Sequence, residues 1–377
     1  MNKTNRKRIL IASGGTGGHF YPGLALADAL RAKGGWEPVF LVKKGDSAID
    51  ALRQNYYPYA ELDMVALPRS LNPLAHLGFL YKFASSLAAC LRILKDTGPV
   101  LVFGTGSYIS FPAILAAFLK GTPSMIHESN AKFGLGNGLC ARFASHTTLG
   151  LPVKNNPFGA ATTLTGTPVR NGFLSYTGPL PARASLGLKE EGPLLLIFGG
   201  SQGALRLNRA AAAAVKKLKA KGLAFQVIHL AGKNDYAGTL AFYSGLGLSG
   251  APYLKVLPYS EEMNLLYAAA GLVCCRSGAG TVAELLYLKK PAVLVPLPTS
   301  AGGHQLENAR VLADAGTAVV VEQSPAFDAE LAAQLERLIG SAQELERMRS
   351  SFSGLAYLPD PGKAAENIII AIEKLIS

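Results

Sequence analysis

The chain is poor in cysteine and has no long apolar run. Its four cysteines among 377 residues, Cys90, Cys140, Cys274 and Cys275, form no CxxC pair. This spacing does not favour a disulfide framework or a zinc site, and it fits a reducing compartment. No stretch reaches the roughly 18 consecutive apolar residues of a membrane-spanning helix. The apolar run after the basic start, Ile9–Ala12, is also shorter than a signal-peptide core. We therefore expect the chain to stay in the cytoplasm.

Acidic residues are scarce as well. Asp and Glu number 25 against 37 Lys and Arg, which gives a formal net charge of +12. Such an excess suits a nucleotide, another polyanion or an anionic membrane surface, and charge alone does not choose among them. Hydrophobic residues make up 49% and charged residues 16%, a composition that excludes a disordered chain. At about 150 residues per domain, the length indicates two domains.

Short β-branched and leucine-rich runs alternate with helical stretches along the chain. This alternation is typical of α/β domains in which helices cover a parallel sheet. Both halves open on a strand, a glycine-rich turn and a helix. We therefore predict two Rossmann-like domains whose parallel sheets face one another across a cleft. The predicted boundaries are 1–170 for the N-terminal domain, 171–355 for the C-terminal domain, and 356–377 for a final helix that could pack back on the first domain.

Four glycine-rich turns follow predicted strands. The first, Ser13–His19, contains four glycines, but Phe20 replaces the last glycine of GxGxxG, and no Walker A lysine follows. Lys43 and Lys44 stand where a dinucleotide-binding fold would place a ribose-binding acid. The other turns are 104–107, 199–203 and 276–281. Glycines at strand ends let backbone N–H groups reach an anion, so these turns predict a phosphate-binding site, with plain structural turns as the alternative.

Polar side chains accompany these turns. His127, Glu128 and Asn130 end a predicted strand and suit either sugar binding and general-base work or a structural hydrogen-bonded cluster. Glu284 could accept two ribose hydroxyls, although Thr281-x-x-Glu284 also matches a helix capping box. A third group could bind a ligand or cap a predicted helix: His304, Gln305 and Asn308.

The segment 71–95 is predicted to be one amphipathic helix. Leucines and Phe83 recur along it at spacings of three or four, and the stripe includes Leu74, Leu77, Leu80 and Leu94. One interpretation is a core helix with a solvated basic back. The other is a helix that docks on an anionic bilayer surface through its extra apolar residues and cations.

The motifs together resemble the MurG family of glycosyltransferase family 28. They are GGTGGH (14–19), HESN (127–130), GTPVR (166–170), GGSQGA (199–204), CRSGAGTVAE (275–284) and HQLENA (304–309), in the family's order across most of the chain. The resemblance implies the GT-B fold and transfer of N-acetylglucosamine (GlcNAc) from UDP-GlcNAc to the C4 hydroxyl of lipid I. The product would be lipid II, formed with inversion during peptidoglycan synthesis. It also implies peripheral attachment to the cytoplasmic face of the cell membrane through an anionic surface, with no nucleic acid partner.

The resemblance further implies roles for individual residues. It places the following at UDP-GlcNAc: Thr16, Gly17 and Gly18 near the diphosphates; Asn130 and Arg170 at donor positions; Ser201 at the phosphate oxygens; Arg276 near the nucleotide; Ser260 at uracil through its backbone; Glu284 at the ribose; and His304, Gln305 and Asn308 at the GlcNAc hydroxyls. Three positions depart from the usual family residue: Ser107, Ser129 and Thr167.

The expected mechanism follows from charge. Breaking the bond to UDP develops negative charge on the β-phosphate, which must be stabilised. Since no DxD pair accompanies the turns, we expect backbone amides, helix dipoles, Ser201 and cations to do this, without a metal or a cofactor. His19 or Glu128 would be the general base, with His19 preferred. The alternatives are a UDP-GlcNAc 2-epimerase-like isomerase, an NAD(P) oxidoreductase and a non-catalytic sugar-nucleotide-binding module.

Overall fold

A computed structural model describes residues 6–15, 17–64, 73–175 and 178–377. Two compact units make up the chain. The N-terminal unit contains the described residues up to Arg170 together with Leu358–Ser377, and the C-terminal unit contains those of Asn171–Tyr357.

The N-terminal unit is built on a seven-stranded parallel sheet of order β3-β2-β1-β4-β5-β6-β7. Its strands are β1 Lys7–Ala12, β2 Trp36–Lys43, β3 Tyr59–Leu62, β4 Leu101–Gly104, β5 Ser124–Glu128, β6 His146–Leu149 and β7 Thr162–Leu164. Its first helices are α1 Gly17–Lys33, α2 Ala48–Gln54, α3 Pro73–Thr97, α4 Ser110–Lys120 and α5 Leu135–Cys140. The central strands are buried on both faces, as parallel strands covered by helices require.

The C-terminal unit repeats this plan with a six-stranded parallel sheet of order β10-β9-β8-β11-β12-β13. Its strands are β8 Leu194–Phe198, β9 Gln226–Leu230, β10 Leu254–Leu257, β11 Leu272–Cys275, β12 Ala292–Leu294 and β13 Ala318–Val320. Its helices are α6 Asn171–Leu174, α7 Pro179–Ser185, α8 Leu205–Ala220, α9 Tyr236–Gly245, α10 Met263–Ala269, α11 Ala279–Leu288, α12 His304–Asp314, α13 Phe327–Ile339 and α14 Ala342–Ser350. The two doubly wound sheets confirm the predicted α/β class with two Rossmann-like domains.

The last helix, α15 Ala364–Ile376, is part of the N-terminal unit. Ile368 and Ile372 are fully buried in the same core cluster as Ile9 of the central strand. Lys33 at the end of α1 forms an ion pair with Glu373 at 2.6 Å. The chain therefore leaves the N-terminal unit after β7 and returns to it at its C-terminal end.

One predicted helix is divided in the structure. The predicted element 328–351 is interrupted between α13 and α14, because Ser341 has an extended backbone and its Oγ accepts a hydrogen bond from the Glu344 N–H at 3.2 Å. This is an N-cap, which starts a new helix. The edge strands β7 and β13, each three residues long, were not predicted.

Of the two interpretations of the helix 71–95, the core-helix interpretation is wrong for the first half of α3. Burial begins at Ser86 and continues at Cys90 and Leu94. Cys90 and Leu94 belong to the same core cluster as Leu10 and Val102 of the sheet. Three leucines that the core-helix interpretation would bury are 75%, 61% and 57% exposed: Leu74, Leu77 and Leu80. Leu71 lies outside the described residues.

By length and composition alone, His76–Thr97 could cross a membrane, since it has 22 residues and a mean hydropathy of 1.4. Its second half nonetheless packs in the core of the N-terminal unit. A row of ring contacts then connects α3 with α4: Phe79 with Phe83, Phe83 with Phe111, Phe111 with Phe143, and Phe143 with Phe118. We call these five phenylalanines the aromatic row.

Candidate functional site

The first glycine turn is held by a carboxylate from the next strand–helix connection. The Gly15 N–H donates to Asp46 Oδ2 at 2.7 Å, and the Ala48 N–H donates to Oδ1 at 2.9 Å. Gly14 has a φ of +147°, and a Cβ there would lie 2.7 Å from Asp46 Oδ2, so only glycine fits. An acid thus does follow β2, three residues after Lys43, and it binds the turn. Nothing in the sequence pattern around Asp46 indicates this contact.

The turn leads directly into α1. Thr16 lies outside the described residues, while Gly17 and Gly18 are exposed first-turn residues of the helix. That turn contains no acidic side chain. Exposed N–H groups at a helix start attract negative charge, so the geometry suits an anion at this place.

His19 is fixed in one tautomer. Its Nδ1 lies 3.0 Å from the carbonyl oxygen of Thr105, just after β4. Because a carbonyl only accepts, Nδ1 carries the proton and the lone pair of the neutral ring lies on Nε2. The ring is half-buried. This is the arrangement that a general base needs.

His127 and Glu128, although adjacent on β5, are both held by structural hydrogen bonds. Fully buried His127 contacts the hydroxyls of Thr148 at 3.0 Å and Thr167 at 3.4 Å. Burial, and secondarily the charge of His19, lower the His127 pKa to about 3, so the ring stays neutral. His127 is therefore a core residue.

The Glu128 carboxylate accepts four hydrogen bonds. Oε1 accepts from the backbone N–H and side-chain amide of Asn130, at 2.9 and 2.8 Å. Oε2 accepts from the Gly134 N–H at 3.0 Å and from Asn137 Nδ2 at 2.9 Å. With about four lone-pair sites on a carboxylate, Glu128 organises the segment 129–137 and is poorly suited to take a proton from a substrate.

Three buried polar atoms near the ends of β4 and β5 have no hydrogen-bond partner in the described part of the chain. They are Ser107 Oγ, Ser129 Oγ and Asn137 Oδ1. Unsatisfied buried polar groups are rare and require an explanation. Gly106 lies close against the Asn137 side chain. It has a φ of +97°, and a Cβ at this position would lie 2.5 Å from Asn137 Nδ2. Asn137, which sequence analysis missed, connects these groups to Glu128.

Arg170 also belongs to this unit. Its guanidinium lies 4.8 Å from the centroid of the Tyr21 ring, on the first part of α1. The same ring would lie 3.2 Å from a Cβ at Gly17. The predicted N-terminal residues Gly17, Gly18 and His19 and the Arg170 side chain are therefore grouped around the start of α1, whereas Glu128 and Asn130 are grouped at the end of β5.

The second glycine turn, 199–203, joins β8 to α8. Gly203 has a φ of +98°, its N–H donates to the Gly200 carbonyl at 3.1 Å, and a Cβ at Gly199 would lie 2.2 Å from Ala204 Cβ. Ser201 lies exposed at the tip. These glycines are required by the close backbone approach, and the exposed tip presents a hydroxyl.

Arg276 directly follows β11, and Glu284 lies in α11, the next helix. Arg276 is 9% exposed and donates from Nη1 to the carbonyls of Val295 and Pro296, both at 3.0 Å, so it joins the ends of β11 and β12. The capping-box interpretation of Glu284 is wrong: α11 begins at Ala279 with Gly278 as its N-cap and no side-chain cap. Glu284 therefore lies half-buried in the second helical turn.

The start of α12 is fastened to the turn after β11. Ser277 Oγ donates to the Gln305 carbonyl at 2.8 Å, and buried Asn308 donates from Nδ2 to the Ser277 carbonyl at 3.1 Å. Gln305 Oε1 accepts a hydrogen bond from the Leu297 N–H at 2.9 Å, and its Nε2 is therefore not directed at this N–H. His304 Nδ1 is buried and has no hydrogen-bond partner within the described residues. Of this predicted group, Asn308 holds the start of α12 against the turn after β11, and His304 and Gln305 retain polar atoms for a ligand.

Ser260 follows β10. Its Oγ accepts a hydrogen bond from the Glu262 N–H at 3.1 Å, which shapes the turn before α10. Among the described residues, no group of three or more His, Cys, Asp or Glu side chains could hold a metal ion.

Comparisons with known proteins cover both units. Residues 9–148 match the glycosyltransferase family 28 N-terminal domain, and residues 194–358 match the glycosyltransferase family 28 C-terminal domain. The UDP-N-acetylglucosamine--N-acetylmuramyl-(pentapeptide) pyrophosphoryl-undecaprenol N-acetylglucosamine transferase of Elusimicrobium minutum is 38% identical, over 98% of this chain and all of that protein. The transferase of the same name from Desulforudis audaxviator is 35% identical, over 98% of both chains.

A solved structure agrees with these relatives. The crystal structure of Acinetobacter baumannii MurG superposes with a TM-score of 0.75 at 28% identity, over 98% of this chain and 99% of that one. This similarity confirms the predicted GT-B fold. Sequence relatives, domain matches and fold agree over nearly the whole length, and the chain belongs to glycosyltransferase family 28.

Proposed function

We propose that this protein transfers GlcNAc from UDP-GlcNAc to the C4 hydroxyl of lipid I, producing lipid II for peptidoglycan synthesis. The main support is the 38% identity, over 98% of the chain, to a relative whose name states this transfer. The isomerase alternative is not favoured, because the matched family and the relatives described above are transferases.

In the proposed reaction, the acceptor C4 oxygen attacks C1 of GlcNAc from the face opposite UDP. The new C–O bond forms as the bond from C1 to the UDP β-phosphate oxygen breaks, and the electron pair leaves with UDP. The hydroxyl proton passes to His19 Nε2, the nitrogen with the lone pair when Nδ1–H donates to Thr105. The four hydrogen bonds on Glu128 support His19 as the base.

The C-terminal unit is the proposed donor-binding unit. Ser201 and the amides of its turn would bind the UDP phosphates, Glu284 the ribose hydroxyls and the Ser260 backbone the uracil. Gln305 Nε2 and His304 Nδ1 would bind the GlcNAc hydroxyls, which explains an otherwise unpartnered buried nitrogen. Arg276 and Asn308 would hold these groups in place through their main-chain contacts.

The N-terminal unit is the proposed acceptor-binding unit. Gly17 and Gly18, with the Arg170 guanidinium, would meet diphosphate charge at the start of α1. Three polar atoms, Ser107 Oγ, Ser129 Oγ and Asn137 Oδ1, would gain partners from the acceptor. Because Asn137 Nδ2 already donates to the His127 carbonyl and to Glu128, Oδ1 is fixed as an acceptor and calls for a hydroxyl or amide donor.

We place the protein at the cytoplasmic face of the membrane because its acceptor is a lipid. The support is the exposed apolar part of α3, next to the aromatic row, and the exposed Phe118 and Leu119 at the end of α4. Exposed apolar side chains of this number suit a surface-bound helix.

The deciding experiment is a lipid-product assay with radiolabelled UDP-GlcNAc and a lipid I analogue. Label that moves to the lipid fraction, with release of UDP, supports the proposal. Label recovered as free N-acetylmannosamine with UDP would identify an isomerase, and binding of UDP-GlcNAc without release of UDP would identify a binding module.

A further inference from the structure

A loop from the neighbouring strand holds the second glycine turn in place. Gly232, after β9, has a φ of +86°, and a Cβ there would lie 2.1 Å from the Gly203 nitrogen. The Lys233 N–H donates to the Ser201 carbonyl at 3.0 Å, and Asn234 Nδ2 donates to Gln202 Oε1 at 2.8 Å. The backbone of Lys233 is therefore fixed against Ser201, at the tip of the turn.

The side chain of Lys233 continues from this contact toward β10. Its Nζ lies 5.0 Å from the centroid of the Tyr259 ring, and Tyr259 directly precedes Ser260. Lys233 thus joins the phosphate-binding turn to the segment that is proposed to meet uracil. The aromatic face attracts the ammonium without neutralising it.

Two cationic side chains near this turn, Arg206 and Lys233, differ in their contacts with carboxylates. Arg206, in the first turn of α8, forms an ion pair with Asp328. Lys233 is exposed and makes no ion pair with a carboxylate of the described chain. Its charge is therefore available to a ligand, while that of Arg206 is compensated.

We propose that Lys233 is a diphosphate-binding residue of the donor site, held toward the phosphates by Tyr259. This inference rests on the proposed function, since it needs a uridine diphosphate between Ser201 and Ser260. The ammonium neutralises charge on the UDP phosphates and stabilises the added negative charge when the bond to the sugar breaks. Neither the turn nor Ser260 supplies a full positive charge.

The test compares the dissociation constants of UDP and uridine by titration calorimetry, for the wild type and for Lys233→Met. Methionine keeps the unbranched stem and removes the charge. Loss of one charged hydrogen bond should weaken UDP roughly tenfold or more while leaving uridine unchanged. Lys233→Arg should keep most of the preference for UDP over uridine. The value of kcat should decrease from the wild type through Lys233→Arg to Lys233→Met.

The matched control is Lys216→Met, which removes one exposed charge from α8. Lys216 lies 11 residues beyond the helix start, or roughly 16 Å along its axis, so it should not change either constant. A second variant, Tyr259→Leu, leaves the lysine in place and should weaken UDP more than uridine.

The possible results separate the two proposals. Equal affinity of the wild type and Lys233→Met for UDP, or equal losses for UDP and uridine, would overturn the role of Lys233 alone. A wild type that binds no UDP would instead overturn the proposed function, and this inference with it. If Lys233→Met does not fold, Lys233→Arg and Tyr259→Leu decide through the same UDP-to-uridine ratio.

Discussion

Attachment to a membrane through the first half of α3 can be tested by removing two exposed leucines. Leu77 and Leu80 are 61% and 57% exposed, so a lipid surface has apolar area to cover on both. Complete burial of a leucine is worth about 2 kcal/mol, and the exposed fractions reduce this to about 1.2 kcal/mol each. The variant Leu77→Ser/Leu80→Ser should therefore lose about 2.4 kcal/mol of binding, or about 55-fold in the partition constant.

The assay is sedimentation with vesicles that contain anionic lipid, measured over a range of lipid concentrations. A matched control is Leu174→Ser/Leu180→Ser in the C-terminal unit, because those leucines are 47% and 57% exposed. The control should bind vesicles like the wild type. Serine adds no charge, so the difference reports apolar contact, and both variants should unfold near the wild-type temperature.

Salt separates the cationic contribution from the apolar one. At 1 M salt the Debye length falls to about 3 Å, so attraction of Arg92 and Lys95 to anionic lipid is lost while the leucine effect remains. An unchanged partition constant for Leu77→Ser/Leu80→Ser, or an equal loss in the control, would refute docking through α3. The exposed leucines would then need another explanation.

Three further predictions concern the site and its framework. His19→Gln should lower kcat by roughly 10²–10⁴ with unchanged UDP affinity, and wild-type turnover would exclude it as the base. Burial lowers the pKa values of His127 and His229 from 6.5 to about 3. Below pH 6.5 the unfolded chain therefore binds more protons than the folded chain. The free energy of unfolding of each unit should fall by roughly 2 kcal/mol between pH 6.5 and pH 5. Denaturant titrations at both pH values measure this, and constant stability would contradict it. Gly232→Ala should lower the melting temperature and UDP affinity, because its Cβ would clash with the second glycine turn, whereas Gly245→Ala, with open space around it at the end of α9, should do neither.

The sequence predicted the α/β architecture well because its signals are local. A strand, a glycine-rich turn and a helix follow one another within about 25 residues, and apolar runs bounded by glycine indicate buried parallel strands. The failures have a different cause. Periodicity along α3 defines a face, but the strands and α4 together decide which turns of that face are covered. Leu74, Leu77 and Leu80 lie on the uncovered part. The capping box at Thr281 failed because Gly278, with its extended backbone, already starts the helix.

In the candidate site, too, the sequence does not show which contacts a single side chain makes in the fold. His19 and Glu128 both follow strand ends, and their residue types suit a base equally well. What separates them is the kind of hydrogen bond each side chain makes, and the partners come from positions that the sequence does not connect. His19 Nδ1 donates to the Thr105 carbonyl, whereas the Glu128 carboxylate accepts from Gly134 and Asn137.

Asp46 is an example of a residue whose contact is distant in sequence. Its carboxylate binds the N–H of Gly15, 31 positions earlier in the chain, so neither spacing nor composition could assign it to the glycine turn. The same applies to the contact of Lys233 with Ser201, which crosses from one strand end to the next. In a parallel sheet the strand ends are neighbours in space, and an acid or a lysine there acts on whichever turn lies beside it. The role of such a residue therefore follows from its hydrogen-bond partners, and not from the motif that it stands next to.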